Sequence, residues 1–376
     1  MAPTSERAGS EAPLENQPGP VRGEDSFDIA RVDRWLRERV EGLTGPPEVR
    51  QFTGGASNLT YLLRYPEREL VLRRPPPGTK AATAHDMRRE ADIQRRLRPV
   101  YPSVPELLAF CEEQDVLGSD FYVMERITGA ILRGRGRQQI DISASAARGI
   151  CEAWVDRMVE LHQVDVSAAG LADLGRGEGY VERQIGGWSE RYRQARTWNV
   201  PRFERVMRWL AERQPPDRAS CVVHNDFRLD NVVLDPSEPR RIVGVLDWEM
   251  ATVGDPLMDL GNSLAYWVQA DDDRAMQLLR RQPTHLPGML TRRELVDRYC
   301  EATGIDPPDI TFYEVYGLFR LAAIIQQIYR RYHRRETRNP AFRRYWLAVG
   351  YLDRRCRRLI IDRANGQPVS QDNRRH

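Results

Sequence analysis

The sequence predicts an α+β protein with two lobes, a small antiparallel-sheet lobe followed by a larger and mostly helical lobe. Its 376 residues exceed the length of one ordinary domain and suit two domains of about 100–200 residues. Short β-rich runs lie within residues 26–128, whereas helical periods dominate residues 129–364. Since 41% of the residues are hydrophobic and 30% are charged, the chain can bury a sizeable core.

Composition argues against several classes of function. The chain has 57 Lys or Arg and 54 Asp or Glu, and this net charge of +3 is too small to indicate a nucleic-acid partner. Its single lysine is Lys80. Five widely spaced cysteines without a CxxC pair indicate neither a disulfide framework nor a zinc site, so we expect a cytoplasmic protein. No run of about 18 apolar residues could span a membrane, and no membrane partner is expected. The oligomeric state stays open.

Both ends of the chain are predicted to lie outside the fold. Residues 1–25 are rich in Pro, Gly, Ser and Glu, so we expect a disordered tail and not a signal peptide. Residues 365–376 are predicted to form a loose tail. Order is predicted to begin at Ser26, which can cap a helix. The apolar residues at helical spacing in this helix are Ile29, Val32, Leu36 and Val40.

Five strand-like runs and one further helix make up the rest of the predicted small lobe. The first three runs are typical of an antiparallel meander. The helix, with alternating charge and apolar residues, follows them. In chain order, these elements are predicted at 49–53, 59–65, 70–73, 84–97 (the helix), 107–111 and 121–125.

The larger lobe is predicted from long helical periods, of which Ile150, Trp154, Met158 and Leu161 are one example. Short β-rich pieces interrupt these periods. They are predicted at 221–223, 232–234 and 242–246.

A polar loop between two of these strand pieces carries the residues that most clearly indicate a chemistry. Asp226 and Asn231 lie in the loop, and Asp247 follows the next apolar strand. Phosphoryl transfer needs a carboxylate that accepts the proton of the attacking hydroxyl, and oxygen ligands for Mg²⁺ on the nucleotide phosphates. We assign Asp226 to the first role and the other two residues to the second. The alternative is a pair of turns capped by Asp and Asn, which any protein can contain.

The spacing of His224, Asp226 and Asn231, with an Asp after the next strand, resembles the catalytic loop and the metal-binding Asp of the protein-kinase-like fold. In that fold a flexible loop between the first two strands covers the phosphates, and backbone N–H groups and a serine are available to oxygen ligands. A small polar hairpin is the alternative. The residues that match the phosphate-covering loop are Gly54, Gly55, Ser57 and Asn58.

In the third strand, Arg73 stands where such kinases place a lysine that touches the α- and β-phosphates, and Glu90 stands at the position of its partner. Arginine can bind phosphate through its planar fork, and Arg74 is the second candidate. An ordinary surface ion pair is the alternative. After the fifth strand, Glu125 and Ile127 stand where the backbone of an adenine-binding hinge is expected, although a plain strand end would look the same.

Taken in order, these motifs resemble the aminoglycoside phosphotransferase-like family of small-molecule kinases over residues 49–351. The stretch 254–260 is typical of that family. In it, Asp255 would cap a helix and Asp259 would brace the catalytic loop. His224 is assigned a structural role beside them.

Three further stretches resemble the branch of this family that occurs alone in bacteria or fused to acyl-CoA dehydrogenases. This resemblance implies ATP- and Mg²⁺-dependent phosphorylation of a hydroxyl, with hydroxyacyl-CoA thioesters as the substrate class. The branch commonly has arginine where lysine is expected. The three stretches are 55–58, 71–76 and 319–330.

A basic segment bears on the substrate independently of the resemblance. It begins with Arg330, Arg331, Arg334 and Arg335 and contains only two acidic residues up to residue 358. The phosphates of CoA would be attracted to arginines, whereas a polycationic aminoglycoside would prefer carboxylates. On a helix the four arginines would form two faces, Arg330 with Arg334 and Arg331 with Arg335. A solvated helix face is the alternative.

Two other functions stay open at this point. An aminoglycoside or macrolide antibiotic kinase would be favoured by carboxylates around the cleft. A non-catalytic pseudokinase would bind a partner without transferring phosphate, and the presence of Asp226, Asn231 and Asp247 together argues against it.

Overall fold

The computed structural model confirms an α+β fold in which a small antiparallel sheet precedes a larger helical lobe. The residues it describes are 18–52, 58–76, 82–133, 142–306 and 308–365, with the backbone alone for 82–86. Among the helices in these ranges, none is long and apolar enough to cross a membrane.

The small lobe contains a five-stranded sheet in the order β1-β2-β3-β5-β4, and all its neighbouring strands are antiparallel. The first three strands form the predicted meander, and each strand lies close to its predicted position. Their bounds are β1 Glu48–Gln51, β2 Leu59–Arg64, β3 Glu69–Arg74, β4 Leu107–Cys111 and β5 Phe121–Glu125.

Three helices accompany this sheet. Helix α1 (Ile29–Arg37) precedes β1, and α2 (Ala82–Leu97) follows β3. A short helix, α3 (Gln114–Leu117), joins β4 to β5. The sequence did not predict α3, because a single helical turn is too short to show a period.

Successive residues of β3 point to opposite faces of the sheet, as strand geometry requires. Leu72 packs in a cluster with Trp35 of α1, whereas its neighbour Val71 packs with Met87 of α2. The next two residues of the strand are both arginines. They therefore enter different surroundings, one on each side of the sheet.

The fold begins earlier in the chain than predicted. Gly19 and Gln51 exchange two backbone hydrogen bonds of 2.9 and 2.8 Å, which adds a bridge to the edge of β1. Asp25 is buried, and its carboxylate accepts a hydrogen bond from Gln51 Nε2 at 2.8 Å. The prediction of a disordered tail over residues 1–25 is thus wrong for residues 18–25. Residues 1–17 lie outside the described ranges, as do residues 366–376 of the predicted C-terminal tail.

The cap of α1 also differs from the prediction. Asp28 Oδ1 accepts the N–H groups of Ala30 at 3.1 Å and of Arg31 at 3.3 Å. Ser26 instead donates its hydroxyl to the carbonyl of Gly23 at 2.8 Å. Ser and Asp are both good caps, so composition alone could not decide between them.

The larger lobe consists of helices around one apolar core. The period predicted around Trp154 lies buried in this core. The helices described in this lobe are α4 Ala144–His162, α5 Tyr180–Ala195, α6 Glu204–Glu212, α7 Pro256–Leu264, α8 Arg274–Leu279, α9 Arg292–Thr303, α10 Ile310–His333 and α11 Tyr345–Ala364.

Two small antiparallel ribbons lie against these helices. One pairs β6 (Cys221–Val223) with β9 (Thr252–Gly254), and the other pairs β7 (Val232–Leu234) with β8 (Ile242–Val245). The sequence predicted three of these strands and missed β9, which has only three residues. The loop between β6 and β7 therefore starts from one ribbon and ends in the other.

Asp255 begins α7, in the capping role that the sequence predicts. Its Oδ1 accepts the N–H groups of Leu257 at 2.9 Å and Met258 at 3.1 Å. Its Oδ2 accepts the backbone N–H of Arg218 at 2.8 Å. Pro256 at the first helical position is already restricted to a helical φ. Asp255 thus joins the start of α7 to the segment that leads into β6.

We expect Asp255→Ala to lower the free energy of unfolding by about 2–3 kcal/mol, because two buried N–H groups and the partly buried N–H of Arg218 lose their acceptor. The matched control is Asp28→Ala, which removes the exposed cap of α1 and should cost about 1 kcal/mol or less. Urea unfolding followed by circular dichroism measures both. Equal losses for the two variants would contradict the assigned role of Asp255.

Candidate active site

The loop after β6 is held by one buried carboxylate. Asp259, in the first turns of α7, accepts the backbone N–H groups of His224 and Asn225, each at 2.7 Å. His162 Nε2 lies 3.2 Å from the same carboxylate. Burial alone would raise the pKa of Asp259, but His162 and the backbone hydrogen bonds lower it below its ordinary value. The carboxylate therefore stays charged and fixes the start of the loop.

The ring of His224 connects this loop to the end of β8. Its Nε2 lies 3.0 Å from the carbonyl oxygen of Leu246, which can only accept, so Nε2 carries the proton. Its Nδ1 then accepts the backbone N–H of Asp226 at 3.2 Å. Because burial lowers its pKa, the ring is neutral and both nitrogens keep these roles. This geometry agrees with the structural role predicted for His224.

Asp226 is the next carboxylate of this loop, and 19% of its side chain is exposed. Asn231 Nδ2 donates to its Oδ2 at 3.0 Å and to its backbone carbonyl at 2.9 Å. Arg228 Nε lies 3.0 Å from its Oδ1. Burial raises the pKa of Asp226 to about 6, and the positive charge of Arg228 opposes that rise. A carboxylate with this pKa and fixed orientation is suited to accept a proton at neutral pH.

Asn231 and Asp247 offer oxygen atoms beside Asp226. The backbone N–H of Leu246 donates to the carbonyl of Asn231 at 2.8 Å, which holds the two segments together. Asp247 has a positive φ of 71°, and 34% of its side chain is exposed. Since Asn231 uses its amide nitrogen to bind Asp226, its Oδ1 takes no part in those bonds.

These two oxygens fit what Mg²⁺ requires at a nucleotide site. Mg²⁺ is commonly held by one or two protein oxygens and completes its shell with waters and phosphates. Within the described ranges there is no cluster of three or more His, Cys, Asp or Glu that could hold a metal ion by itself. The residues present therefore fit an ion that arrives with phosphates and not a site built from protein ligands alone.

Arg73 joins the small lobe to this site. Its Nη1 donates to Glu90 Oε1 at 2.7 Å, and its Nη2 lies 3.2 Å from Asp247 Oδ1 and 3.9 Å from Glu249 Oε2. The predicted contact with Glu90 is confirmed. It is not a surface ion pair, because the Glu90 side chain is 1% exposed. Burial lowers the pKa of Arg73, but the carboxylates outweigh burial and raise it well above its ordinary value, so the guanidinium stays charged.

Arg74 does not take this role, because its side chain points to the opposite face of the sheet. It donates to the backbone carbonyl of Asp25 at 2.7 Å and to the hydroxyl of Tyr61 at 3.0 Å. Both partners lie on the α1 side of β3. The second candidate for phosphate contact is thereby excluded.

Of the predicted phosphate-covering loop, Asn58 lies within the described residues, whereas Gly54, Gly55 and Ser57 lie outside them. Asn58 Nδ2 donates to Glu249 Oε2 at 3.4 Å. The end of this loop therefore reaches the segment that follows Asp247.

The predicted adenine-binding hinge, which contains Glu125 and Ile127, lies beside the ribbon of β7 and β8. Glu125 ends β5 and exchanges hydrogen bonds with Glu106, through its own N–H and through its carboxylate, both at 2.9 Å. Ile127 packs on Gly244 of β8, where an added Cβ would come within 2.7 Å of Ile127 Cδ1. The connection between the lobes is thus held tightly against the ribbon that leads to Asp247. Adenine binding by its backbone stays a prediction.

The four arginines predicted on one helix are only partly helical. Helix α10 ends at His333, so Arg334 is its cap, and Arg335 has a left-handed φ of 61°. The expected pairing of Arg331 with Arg335 is therefore wrong, whereas the backbone N–H of Arg334 still donates to the carbonyl of Arg330 at 2.9 Å, as in a helix. Arg331, Arg334 and Arg335 are exposed, and no described contact joins any of them, or Arg330, to the catalytic loop.

Sequence reasoning missed two arginines at the site. Arg228 lies between Asp226 and Asp230, and its guanidinium carbon is 4.6 Å from the centre of the Tyr266 ring. Arg320, in the middle of α10, is 3% exposed and reaches the catalytic loop. A lone arginine inside an apolar helical run was the available signal, because a buried charge requires a partner.

Known proteins resemble this chain in sequence and in fold. The model of a family described as "Phosphotransferase enzyme family" matches residues 48–295. Mouse acyl-CoA dehydrogenase family member 10 is 37% identical over 303 residues, which cover 79% of this chain and 28% of that protein. The crystal structure of a Ralstonia eutropha protein provisionally named an aminoglycoside phosphotransferase has a TM-score of 0.73 at 28% identity, covering 89% of this chain and 99% of that chain.

A more distant structure shares the fold alone. It is the ternary complex of streptomycin, ATP and the aminoglycoside phosphotransferase APH(2″)-IIa, with a TM-score of 0.53 and 16% identity over 80% of this chain and 90% of that chain. Proteins of this fold thus include one that binds ATP. The present chain spans well under half the length of the acyl-CoA dehydrogenase relatives that it matches.

We expect Arg73→Met to lower the free energy of unfolding by about 3–5 kcal/mol, because Glu90 would remain as a buried charge without its partner. The double variant Arg73→Met/Glu90→Leu should recover most of this loss. The control is Arg64→Met, which breaks exposed ion pairs with Glu48 and Glu69 and should cost less than about 1 kcal/mol. Chemical unfolding measures all three, and additive effects of the two changes at 73 and 90 would contradict the pairing.

Proposed function

Because the chain belongs to the phosphotransferase enzyme family, we propose that it is a small-molecule kinase that transfers the γ-phosphoryl group of ATP to a substrate hydroxyl. The observation that carries this proposal is the arrangement around Asp226. Its carboxylate is oriented by Asn231, and Asp247 is placed beside them by the hydrogen bond between Leu246 and Asn231. A proton acceptor next to two oxygen ligands is what phosphoryl transfer requires.

In the proposed reaction, Asp226 orients the acceptor hydroxyl and takes its proton as the oxygen attacks phosphorus. A new O–P bond forms, the bond between the γ-phosphorus and the bridging oxygen breaks, and ADP leaves with the electron pair. Asn231 and Asp247 would hold Mg²⁺, which neutralises phosphate charge. Arg73, fixed by Glu90, would contact the α- and β-phosphates. The segment from Gly54 to Asn58 and the backbone at Glu125 and Ile127 would complete the nucleotide site.

We propose hydroxyacyl-CoA thioesters as the acceptor class. The support is the likeness to a protein named as an acyl-CoA dehydrogenase family member, of which this chain matches less than a third. The excess of arginines from Arg330 onward adds a charge argument, since CoA carries phosphates. These arginines lie beyond or near the end of α10. They would therefore act on the CoA part of the substrate and not on the reacting hydroxyl.

Phosphorylation of an antibiotic is the second candidate, and the name of the Ralstonia eutropha structure favours it. A polycationic acceptor would require carboxylates near Asp226. Asp230 and Asp247 are the charged candidates there, but Arg228 lies within 3.4 Å of Asp230 and Arg73 within 3.2 Å of Asp247. Because an arginine already neutralises each of these carboxylates, the site favours an acceptor that is not polycationic.

The decisive experiment incubates the purified protein with ATP, Mg²⁺ and matched panels of hydroxyacyl-CoAs, free hydroxy acids, aminoglycosides and macrolides, and measures ADP release and phosphorylated product by mass spectrometry. We expect product with a hydroxyacyl-CoA and little with the corresponding free acid. Turnover of an antibiotic alone would replace the acceptor class. No turnover with any panel, together with no binding of ATP, would contradict the kinase assignment.

We expect Asp226→Asn to reduce kcat by about 10²–10⁴-fold, because the amide keeps the shape of the side chain but cannot accept the proton. The KM for ATP and the melting temperature should change little. The matched control is Asp230→Asn, four residues further along the loop, which should keep most of the activity. Near wild-type turnover in Asp226→Asn would show that another group takes the proton.

We expect Asp247→Asn and Asn231→Ala to weaken ATP binding when Mg²⁺ is present, since each removes or alters a proposed oxygen ligand. Isothermal titration calorimetry with ATP, with Mg²⁺ and with EDTA, measures the effect. The affinity in EDTA should be nearly the same as in the wild type. If both variants keep the wild-type affinity in Mg²⁺, these residues do not hold the metal.

A further inference from the structure

Asn225, directly before Asp226, uses both polar atoms of its side chain although the proposed reaction gives it no part. Its Oδ1 accepts hydrogen bonds from the hydroxyl of Tyr180 at 3.1 Å and from Asn262 Nδ2 at 3.0 Å. Its Nδ2 donates to the carbonyl of Met250 at 3.2 Å. Its φ is 63°, in the left-handed region, which asparagine adopts more readily than most residues other than glycine. Three segments around the loop thus hold the side chain of Asn225 while its backbone makes this turn.

The carbonyl of Asn225 is held by Arg320. Arg320 Nη2 donates to this oxygen at 2.9 Å from the middle of α10. Its guanidinium carbon lies 5.1 Å from the centre of the Trp188 ring. Among the described residues, no carboxylate lies within ion-pair distance of Arg320, so a buried positive charge is directed at a backbone oxygen. Such charge-assisted hydrogen bonds are about twice as strong as neutral ones.

The peptide group between Asn225 and Asp226 is therefore fixed at both ends. Arg320 binds its oxygen, and Nδ1 of His224 accepts its N–H at 3.2 Å. Because a peptide group is planar, holding the oxygen and the N–H sets the orientation of the whole plane. The Cα of Asp226 belongs to this plane, so the direction of its carboxylate depends on both bonds.

The chain contains a natural comparison for Arg320. Arg191 of α5 lies over the same Trp188 ring, with its guanidinium carbon 4.7 Å from the ring centre. It is exposed, and no described hydrogen bond joins it to Asn225. The two arginines therefore share an aromatic partner and a charge, and they differ in burial and in the bond to the loop.

We propose that Arg320 is a positioning residue, which holds the Asn225–Asp226 peptide so that the Asp226 carboxylate faces the acceptor hydroxyl. Its effect on catalysis rests on the proposed kinase function, whereas its effect on the loop does not. Removal of Arg320 frees this carbonyl, so that the bond to His224 is left to set the plane of the peptide. Misplacement of a reacting group by about 1 Å can cost about 10²-fold in rate.

The test compares Arg320→Met, Arg320→Lys and Arg191→Met with the wild type. Hydrogen exchange followed by mass spectrometry measures the protection of backbone N–H groups in the peptide that spans residues 221–234. Steady-state kinetics with ATP and the best acceptor from the panels gives kcat and KM separately. Melting temperatures and the affinity for ATP are measured for each variant.

We expect Arg320→Met to exchange about tenfold faster or more in this peptide and to lose about 10- to 100-fold in kcat, with a KM for ATP within about twofold of the wild type. Arg320→Lys, which keeps a donor and the charge, should recover part of both losses, and Arg191→Met should behave as the wild type. If Arg320→Met does not fold, the exchange and kcat of Arg320→Lys decide, and unchanged values overturn the proposal.

Equal effects of Arg320→Met and Arg191→Met would also overturn it, because they would assign the effect to the Trp188 contact or to charge. If the wild-type protein turns over no acceptor and binds no ATP, the proposed function fails on its own. Hydrogen exchange in Arg320→Met at the same rate as in the wild type would then still refute the positioning of the loop. The two failures can therefore be distinguished.

Discussion

The charge on Asp259 is the constraint on which the geometry of the site depends. Its carboxylate is fully buried and holds two consecutive backbone N–H groups, those of His224 and Asn225. With these groups fixed, the ring of His224 can connect the loop to Leu246 and so determine where Asp247 lies. Loss of this acceptor would leave two buried N–H groups without the partner they have here. A residue that never meets a substrate thus sets the positions of those that would.

The structure could be predicted well from the sequence where the signal lies within a short segment. Strand alternation and the spacing of Asp226, Asn231 and Asp247 are properties of short segments, and the structure brings these three residues together as that spacing implies. The choice between Arg73 and Arg74 could not be made from a short segment. Alternation requires that they face opposite sides of the sheet, but only the packing of α2 against one face shows which arginine meets Glu90.

Other features depend on contacts between distant parts of the chain, and the sequence could not reveal them. Arg320 binds the carbonyl of a residue 95 positions earlier, and nothing near Arg320 in the sequence indicates that partner. The end of α10 at His333 has no glycine or proline to mark it, so the arginines that follow look helical in the sequence. Strand β9 is recognisable only from its pairing with β6.

Arginine at position 73 also determines which chemical reagents can report on this site. A guanidinium held by Glu90 and kept protonated by its surroundings has no nucleophilic amine. Nucleotide analogues that detect kinases by acylating the lysine beside the phosphates would find no amine at this position, and acetylation of that side chain could not regulate the protein. Lys80, the single lysine of the chain, lies outside the described residues. Lysine labelling at this position would therefore not detect a chain that has arginine there.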